Sequence, residues 1–283
     1  MKIKAYAKVN LSLDVIGKRA DGYHTLCSVF QSVSLCDVVE INKADSISVR
    51  CSDSSLNGED NLCFKAAVGF FEKAELSGGA DIFVEKHIPL AGGLGGGSTD
   101  AGAVLRGLNE LYGKPLSEEE LLKIAVTLGA DVPFCMVGGT KLCEGIGEIM
   151  SGLPPLPDCY IVIAKKGHKS STKDMYRALD ADTDRKKSDI EKIKAGLKKG
   201  DLAKAFSGAY NCFESVSDPT ALTEARKVTE YYNTVYCGLS GAGPSVISVF
   251  DNPNSSLLTL KELEFLGFKC FLVSPTEVGT EII

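Results

Sequence analysis

Between a strand-like run, IFVEKHI (82–88), and a helix-like run, the chain reads PLAGGLGGGSTDAGAVLRGLN (89–109), with five glycines in the six positions 92–97. Each glycine costs about 0.5–1 kcal/mol relative to alanine inside a regular element. Five together point to a task that only bare backbone can perform. A flexible linker would suit a domain junction, but this run is pinned between two elements. Ala101, Val104, Leu105, Leu108, Leu111 and Tyr112 recur at helical spacing after it, and Gly113 and Pro115 stop that helix. Bare N–H groups at a helix N-terminus attract anions, and the helix dipole adds to the attraction. Two familiar glycine fingerprints are absent. Ser98 stands where a Walker A loop needs lysine, and it also breaks the third glycine of a dinucleotide loop. The run therefore reads as a phosphate cradle of another kind. Ser98 or Thr99 either caps the helix or reaches a phosphate or Mg²⁺.

The flanking sequence supplies the scaffold. Ile3, Ala5, Ala7, Val9, Leu11, Leu13 and Val15 alternate with polar residues, which predicts a half-buried strand. Lys8 and Asn10 share its polar side, ~7 Å apart. Asp21-Gly22 marks a tight turn, and TLCSVFQSVSL (25–35), VVEI (38–41) and SISVR (46–50) read as further strands. Asn61 opens a helix carrying Leu62, Ala66, Phe70 and Phe71. Ser117 and Glu120 form a capping box for another helix, which Gly129 closes, so Asp131 falls just past a helix end.

GLPPLPD (152–158) divides the chain into 1–153 and 154–283. The second part alternates strands with helices and predicts an α+β domain with helices on one face of its sheet. Its GLSGAGPS segment (238–245) is either a strand-to-strand turn or a ligand contact.

Composition narrows the function classes. A net charge of −6 disfavours nucleic acid as a partner, and no run approaches the ~18–20 apolar residues of a membrane span. The ten cysteines contain no Cys-x-x-Cys pair, which favours buried thiols in a reducing cytoplasm over zinc or disulfides.

AKVNLSL (7–13), PLAGGLGGGSTDAGA (89–103), GADVPF (129–134) and GLSGAGPSV (238–246), in this order, resemble the galactokinase–homoserine kinase–mevalonate kinase–phosphomevalonate kinase (GHMP) family. The resemblance implies a two-domain α+β GHMP kinase fold. Its first domain is of the ribosomal-protein-S5-domain-2-like type, its second is ferredoxin-like, and the site lies between them. GKRADGYHTLCSVFQSVSL (17–35) and EDNL (59–62) resemble the branch that acts on a cytidine-diphosphate-linked methylerythritol. That branch implies ATP with Mg²⁺, and phosphorylation of the 2-hydroxyl in isoprenoid precursor synthesis. The oligomeric state is open between monomer and weak dimer.

By this resemblance Lys8 and Asp131 are the catalytic pair, Asp131 as proton acceptor. Taken alone, Lys8 reads as a solvated strand lysine and Asp131 as a turn residue before Pro133. The ATP contacts implied are Pro89, Leu90, Ala91, Gly92, Gly93, Leu94, Gly95, Gly96, Gly97, Ser98 and Thr99. Lys86 is either a further ATP contact or a solvated lysine on an edge strand. Asn10 falls beside the substrate, Tyr23 and His24 on the cytidine-recognition positions, and Tyr176 on a second stacking face. Phe30 either packs near the substrate or belongs to the core. Gly241 and Gly243 complete the cleft from the second domain. Ala91, where many relatives have glycine, is expected at negative φ. The direction of Asp100 is left open, and no metal ligand is assigned.

Overall fold

The computed structural model describes residues 1–167, 171–182 and 185–283. The chain first lays down β1 (Lys2–Lys18), β2 (His24–Ala44), β3 (Ser48–Cys51), α1 (Leu62–Ala74) and β4 (Gly79–Glu85). Then come α2 (Gly96–Leu111), α3 (Glu118–Leu128), α4 (Val132–Val137), β5 (Thr140–Gly145) and β6 (Ile149–Gly152). The second part holds β7 (Tyr160–Lys165), α5 (Thr172–Ala181), α6 (Ile190–Lys199), α7 (Leu202–Phe206), α8 (Pro219–Tyr231), β8 (Tyr236–Leu239), β9 (Ser245–Phe250), α9 (Pro253–Phe265) and β10 (Lys269–Val273). Two short strands, β11 (Pro275–Thr276) and β12 (Thr280–Ile282), end the chain.

The first sheet runs β12-β1-β2-β4-β3, with β5 and β11 also on β2 and β6 on β5. The two segments expected as separate strands, 25–35 and 38–41, are one 21-residue strand, β2. Its length follows from β1, which it pairs from Lys2↔Glu40 to Lys18↔His24. The register shifts between Tyr6 and Lys8. Such a bulge twists a strand and re-aims its side chains. Ile3 and Ala5 accordingly join the core under α1, α2 and α3, while Ala7, Val9 and Leu11 join the core between the two sheets.

The polar side of β1 is not solvated as expected. Lys8, Asn10, Ser12 and Asp14 are all buried. Alternation reads one face as wet only when nothing covers it; here Phe30, Gly95 and Asp131 cover Lys8, and the second domain covers the strand further on. Leu13 N–H donates to Tyr210 O at 2.9 Å, and Ser188 N–H donates to the Asp14 carboxylate at 3.1 Å.

The second sheet runs β10-β7-β9-β8 and is antiparallel. Its helices lie on both faces, not one. Val162, Ala164, Val246 and Phe250 pack with Leu222 and Ala225 of α8 and Leu263 of α9. Ile161, Ile163, Ile247 and Val249 pack with α6, α7 and the first sheet. Strands apolar at every position, as YIVIA is, require cover on both sides. The local signals hold: Asn61 caps α1, the Ser117–Glu120 capping box opens α3, and Gly22 N–H closes the hairpin turn onto Arg19 O at 3.1 Å. All ten cysteines are free thiols. Among the described residues no helix is long and apolar enough to cross a membrane.

The chain's end returns to the first sheet, where β12 pairs with β1 and β11 with β2. Gly279 is threaded against α4. Its N–H donates to Val137 O at 3.2 Å and its carbonyl accepts from Tyr6 N–H at 2.9 Å. A Cβ there would overlap the Cys135 carbonyl. We expect Gly279→Ala to lower stability by roughly 1–3 kcal/mol and the unfolding midpoint by several degrees, read by calorimetry. An unchanged midpoint would show that the return strand is loosely held.

Candidate active site

The glycine run leads into α2, whose N-cap is Gly95 in the left-handed region, at φ +72. No side chain caps this helix. Ser98 and Thr99, expected as possible caps, lie inside the first turn. Thr99 is buried and its hydroxyl donates to Tyr6 O at 2.8 Å, which takes it away from the cleft. The first intrahelical bond is Thr99 N–H to Gly95 O, 2.8 Å. The N–H groups of Gly96, Gly97 and Ser98 therefore have no partner within the helix. They border a cleft of about 410 Å³ between the domains. Such an end concentrates positive potential where an anion can reach it.

Lys8 and Asp131 meet at the mouth of this helix. Lys8 Nζ lies 3.3 Å from Asp131 Oδ2, 2.9 Å from Asn10 Oδ1 and 4.5 Å above the Phe30 ring. The lysine side chain is only 5% exposed, whereas that of Asp131 is 35% exposed. A buried ammonium is tolerated when acceptors and charge surround it. Asn10 is itself fixed, its amide donating to Ser28 Oγ at 2.9 Å. Phe30 lies in the core edge-on to Phe134, forms the floor beneath Lys8 and borders the cleft. Burial pushes the nearby Cys135 thiol well above its usual range and that of Cys143 up to about 12. Both stay neutral beside the pair.

The second domain holds the loop in place through a residue that sequence reasoning passed over. Ser240 Oγ accepts from Asn10 N–H at 3.3 Å and donates to Gly93 O at 3.1 Å. Gly93 sits at φ +75, and a Cβ on it would come within 2.5 Å of the Ser240 carbonyl oxygen. Asn211, fully buried, donates to Leu239 O and Gly241 O at 2.9 Å each and so shapes the 239–241 turn. Gly241 lines the cleft. Gly243 does not; it backs Gly93 from behind the loop. Ser240 stood within the quoted GLSGAGPS segment, but Asn211 carried no local signal.

Lys86 is neither solvated nor on an edge strand. It follows β4, an interior strand, and its ammonium pairs with Asp37 and, at 2.5 Å, with Asp100. Asp37 also accepts from the N–H groups of His87 at 2.5 Å and Ile88 at 2.8 Å. Asp100 therefore faces inward. Burial and the neighbouring Asp37 push its carboxyl well above the usual range, against the pull of Lys86. A compartment of about 490 Å³, lined by Asn57, Asn61, Lys86, Leu90 and Asp100 among others, adjoins the glycine run here.

In the loop itself Pro89, Leu90, Gly92 and Gly97 line the cleft. The Leu94 side chain is buried in the core, and its carbonyl accepts from Lys8 N–H at 3.0 Å. Ala91 adopts φ +51, not the negative φ expected. Alanine takes that conformation at a penalty of about 1–2 kcal/mol, which the surrounding loop must hold. At the far end, Tyr176 lines the cleft and packs edge-on against Phe213. His24 stacks directly on Tyr176, ring centroids 4.5 Å apart. Tyr23 stands on the hairpin turn with 63% exposure and does not line the cleft in this arrangement.

A family model described as GHMP kinases N terminal domain matches residues 61–139. The 4-diphosphocytidyl-2-C-methyl-D-erythritol kinase of Caldicellulosiruptor bescii is 38% identical over 98% of this chain and 99% of its own. That of Clostridioides difficile is 37% identical over 100% and 97%. The chain belongs to this kinase family. A crystal structure of 4-(cytidine 5'-diphospho)-2C-methyl-D-erythritol kinase superposes with a TM-score of 0.82 at 30% identity, covering 97% of this chain and 99% of that one. The homoserine kinase of Cytophaga hutchinsonii shares the fold, with a TM-score of 0.78 at 20% identity. The chain thus has the two-domain α+β fold of GHMP kinases. The matched segment contains the glycine run and Asp131; Lys8, Asn10 and Ser240 lie outside it.

In this kinase the seam between Gly93 and Ser240 sets the loop. We expect Gly93→Ala to lower kcat/KM for the phosphoryl donor by about 10²-fold or more, because a displacement of about 1 Å suffices for such a loss. Circular dichroism should remain native. Steady-state kinetics of the variant near wild-type values would show that the loop is set elsewhere.

Proposed function

We propose that the protein transfers the γ-phosphoryl group of ATP to the 2-hydroxyl of 4-diphosphocytidyl-2-C-methyl-D-erythritol. The observation that carries this reading is the Lys8–Asp131 contact of 3.3 Å at the uncapped end of α2. Family membership supplies the substrate.

In this reading the N–H groups of Gly96, Gly97 and Ser98 receive the ATP phosphates, and the nucleoside takes the adjoining compartment beside Lys86 and Leu90. Phosphoryl transfer needs positioning, cations around the phosphates and a group to accept the alcohol proton. Asp131, partly open to the cleft, accepts that proton. Lys8, held by Asn10 and 3.3 Å from that carboxylate, offsets charge on the transferring group. Asn10, Phe30 and Gly241 border the acceptor, and His24, Tyr176 and Tyr23 form the cytidine end. Tyr23 would have to swing from its exposed turn to stack.

Among the described residues no cluster of three His, Cys, Asp or Glu side chains could hold a metal. Mg²⁺ bound with a nucleotide takes most of its oxygens from phosphate and water and needs only one or two from protein. The Ser98 hydroxyl and the Asp131 carboxylate, both lining the cleft, fit that demand. The ion would neutralise phosphate charge. We place the domain boundary at 153/154, with residues 275–282 crossing back, and the protein in the cytoplasm, which suits ten free thiols.

Asp131→Asn should lose about 10²–10⁴ in kcat while ATP affinity stays near wild type. Mass spectrometry of the cytidyl substrate after incubation with ATP and Mg²⁺ should show one added phosphoryl group for wild type only. A variant that keeps most of its turnover would remove Asp131 from its role.

A further inference from the structure

His24 lies at the start of β2 and is fixed by α5 on two sides. Tyr176 covers one face of its ring, with planes 19° apart. Asp180 Oδ1 lies 2.7 Å from Nε2. The other Asp180 oxygen pairs with Lys18 at 3.2 Å. Among the described residues Nδ1 makes no hydrogen bond. The stack occupies a face of the imidazole and leaves its edge, which carries Nδ1, beside the cleft, whose lining reaches Tyr176 but not His24 itself.

A neutral imidazole carries one N–H and one lone pair, and the partner of one nitrogen decides the state of the other. A carboxylate only accepts. Asp180 therefore draws the proton to Nε2 and leaves a lone pair on Nδ1. At C4, cytosine presents an amino group, a donor, and uracil a carbonyl, an acceptor. A lone pair on Nδ1 bonds the first and repels the second.

We propose that Asp180 is a positioning residue that makes this site select cytosine over uracil, by holding His24 as its Nε2–H tautomer. The inference rests on the reading of His24 as a base-recognition residue. Asp180 acts only through His24 and carries no part of the chemistry.

The test compares dissociation constants for cytidine diphosphate and uridine diphosphate by titration calorimetry at pH 8, above the usual imidazole range. Wild type should prefer the cytidine nucleotide by about 10²-fold or more, as sites built to bond one polar group reject its replacement. In Asp180→Asn the amide can donate to Nε2 and let the proton move to Nδ1, so the preference should shrink at least tenfold. Lys18→Ala leaves the Asp180–His24 bond and should keep the preference.

Nitrogen-15 shifts of His24 in the wild-type protein should show a protonated Nε2 and a bare Nδ1, and they decide the matter if the Asp180 variant does not fold. A wild-type His24 protonated on Nδ1, or an unchanged preference in Asp180→Asn with cytidine diphosphate still bound, overturns this inference alone. Wild type binding neither nucleotide overturns the proposed function as well.

Discussion

Lys8 places its ammonium at a point nearly closed to water, and the candidate site is arranged around what that group requires. Its partners come from four places. Asn10 lies two residues along the same strand, Phe30 lies across the ladder in register with Asn10, and Asp131 ends the turn before α4. The fourth is Gly95, whose bare Cα lets the loop lie on the lysine stem; a Cβ there would sit 2.9 Å from Lys8 Cγ. An unpaired ammonium so deeply buried would be strongly destabilising. The four elements are therefore held to one another by a single side chain, and the chemical centre coincides with the place where they converge.

The second domain finishes what the first begins. Without it the stretch of β1 from Asn10 to Asp14 would lose the cover that Ser240, Tyr210 and Ser188 give it, whereas Lys8 is enclosed by the first domain's own Phe30, Asp131 and Gly95. Burial from both domains turns Lys8, Asn10, Ser12 and Asp14 into an internal polar stripe: Lys8 and Ser12 find their partners in the first domain, Asn10 in both and Asp14 in the second. Ser240 ties that joint to the glycine loop. One hydroxyl accepts from the β1 backbone and donates to the glycine loop, so the two halves are positioned together. Neither half alone contains the site.

What was legible in the sequence was local. The glycine run before a helix, the Ser117–Glu120 box, the Asn61 cap and the Asp21-Gly22 turn each depend on residues a few positions apart, and each formed as read. The residues that escaped depend on partners far along the chain. Asp37 is a strand aspartate until β4 ends beside it; Asn211 is a loop asparagine until the 239–241 turn comes to rest on its amide. The family resemblance gathered Lys8 and Asp131, which spacing never could. It gave no warning that Lys86 would be enclosed, because enclosure comes from Asp37 and Asp100 together. Ala91 failed for a related reason: its positive φ is imposed by the loop it joins and is not a preference of alanine.

The two charge clusters on either side of the glycine loop differ chiefly in contact with water, and that difference separates their roles. Asp37, Lys86 and Asp100 are nearly closed to water, Lys86 and Asp100 only bordering the adjoining compartment. Burial and the neighbouring Asp37 raise the Asp100 carboxyl, against the pull of Lys86. Asp131 pairs with an equally buried ammonium but keeps about a third of its own surface open. The role proposed for Asp131, taking a proton from an alcohol and releasing it each turnover, needs that opening. Among the carboxylates flanking the loop, Asp131 alone combines it with a fixed cation.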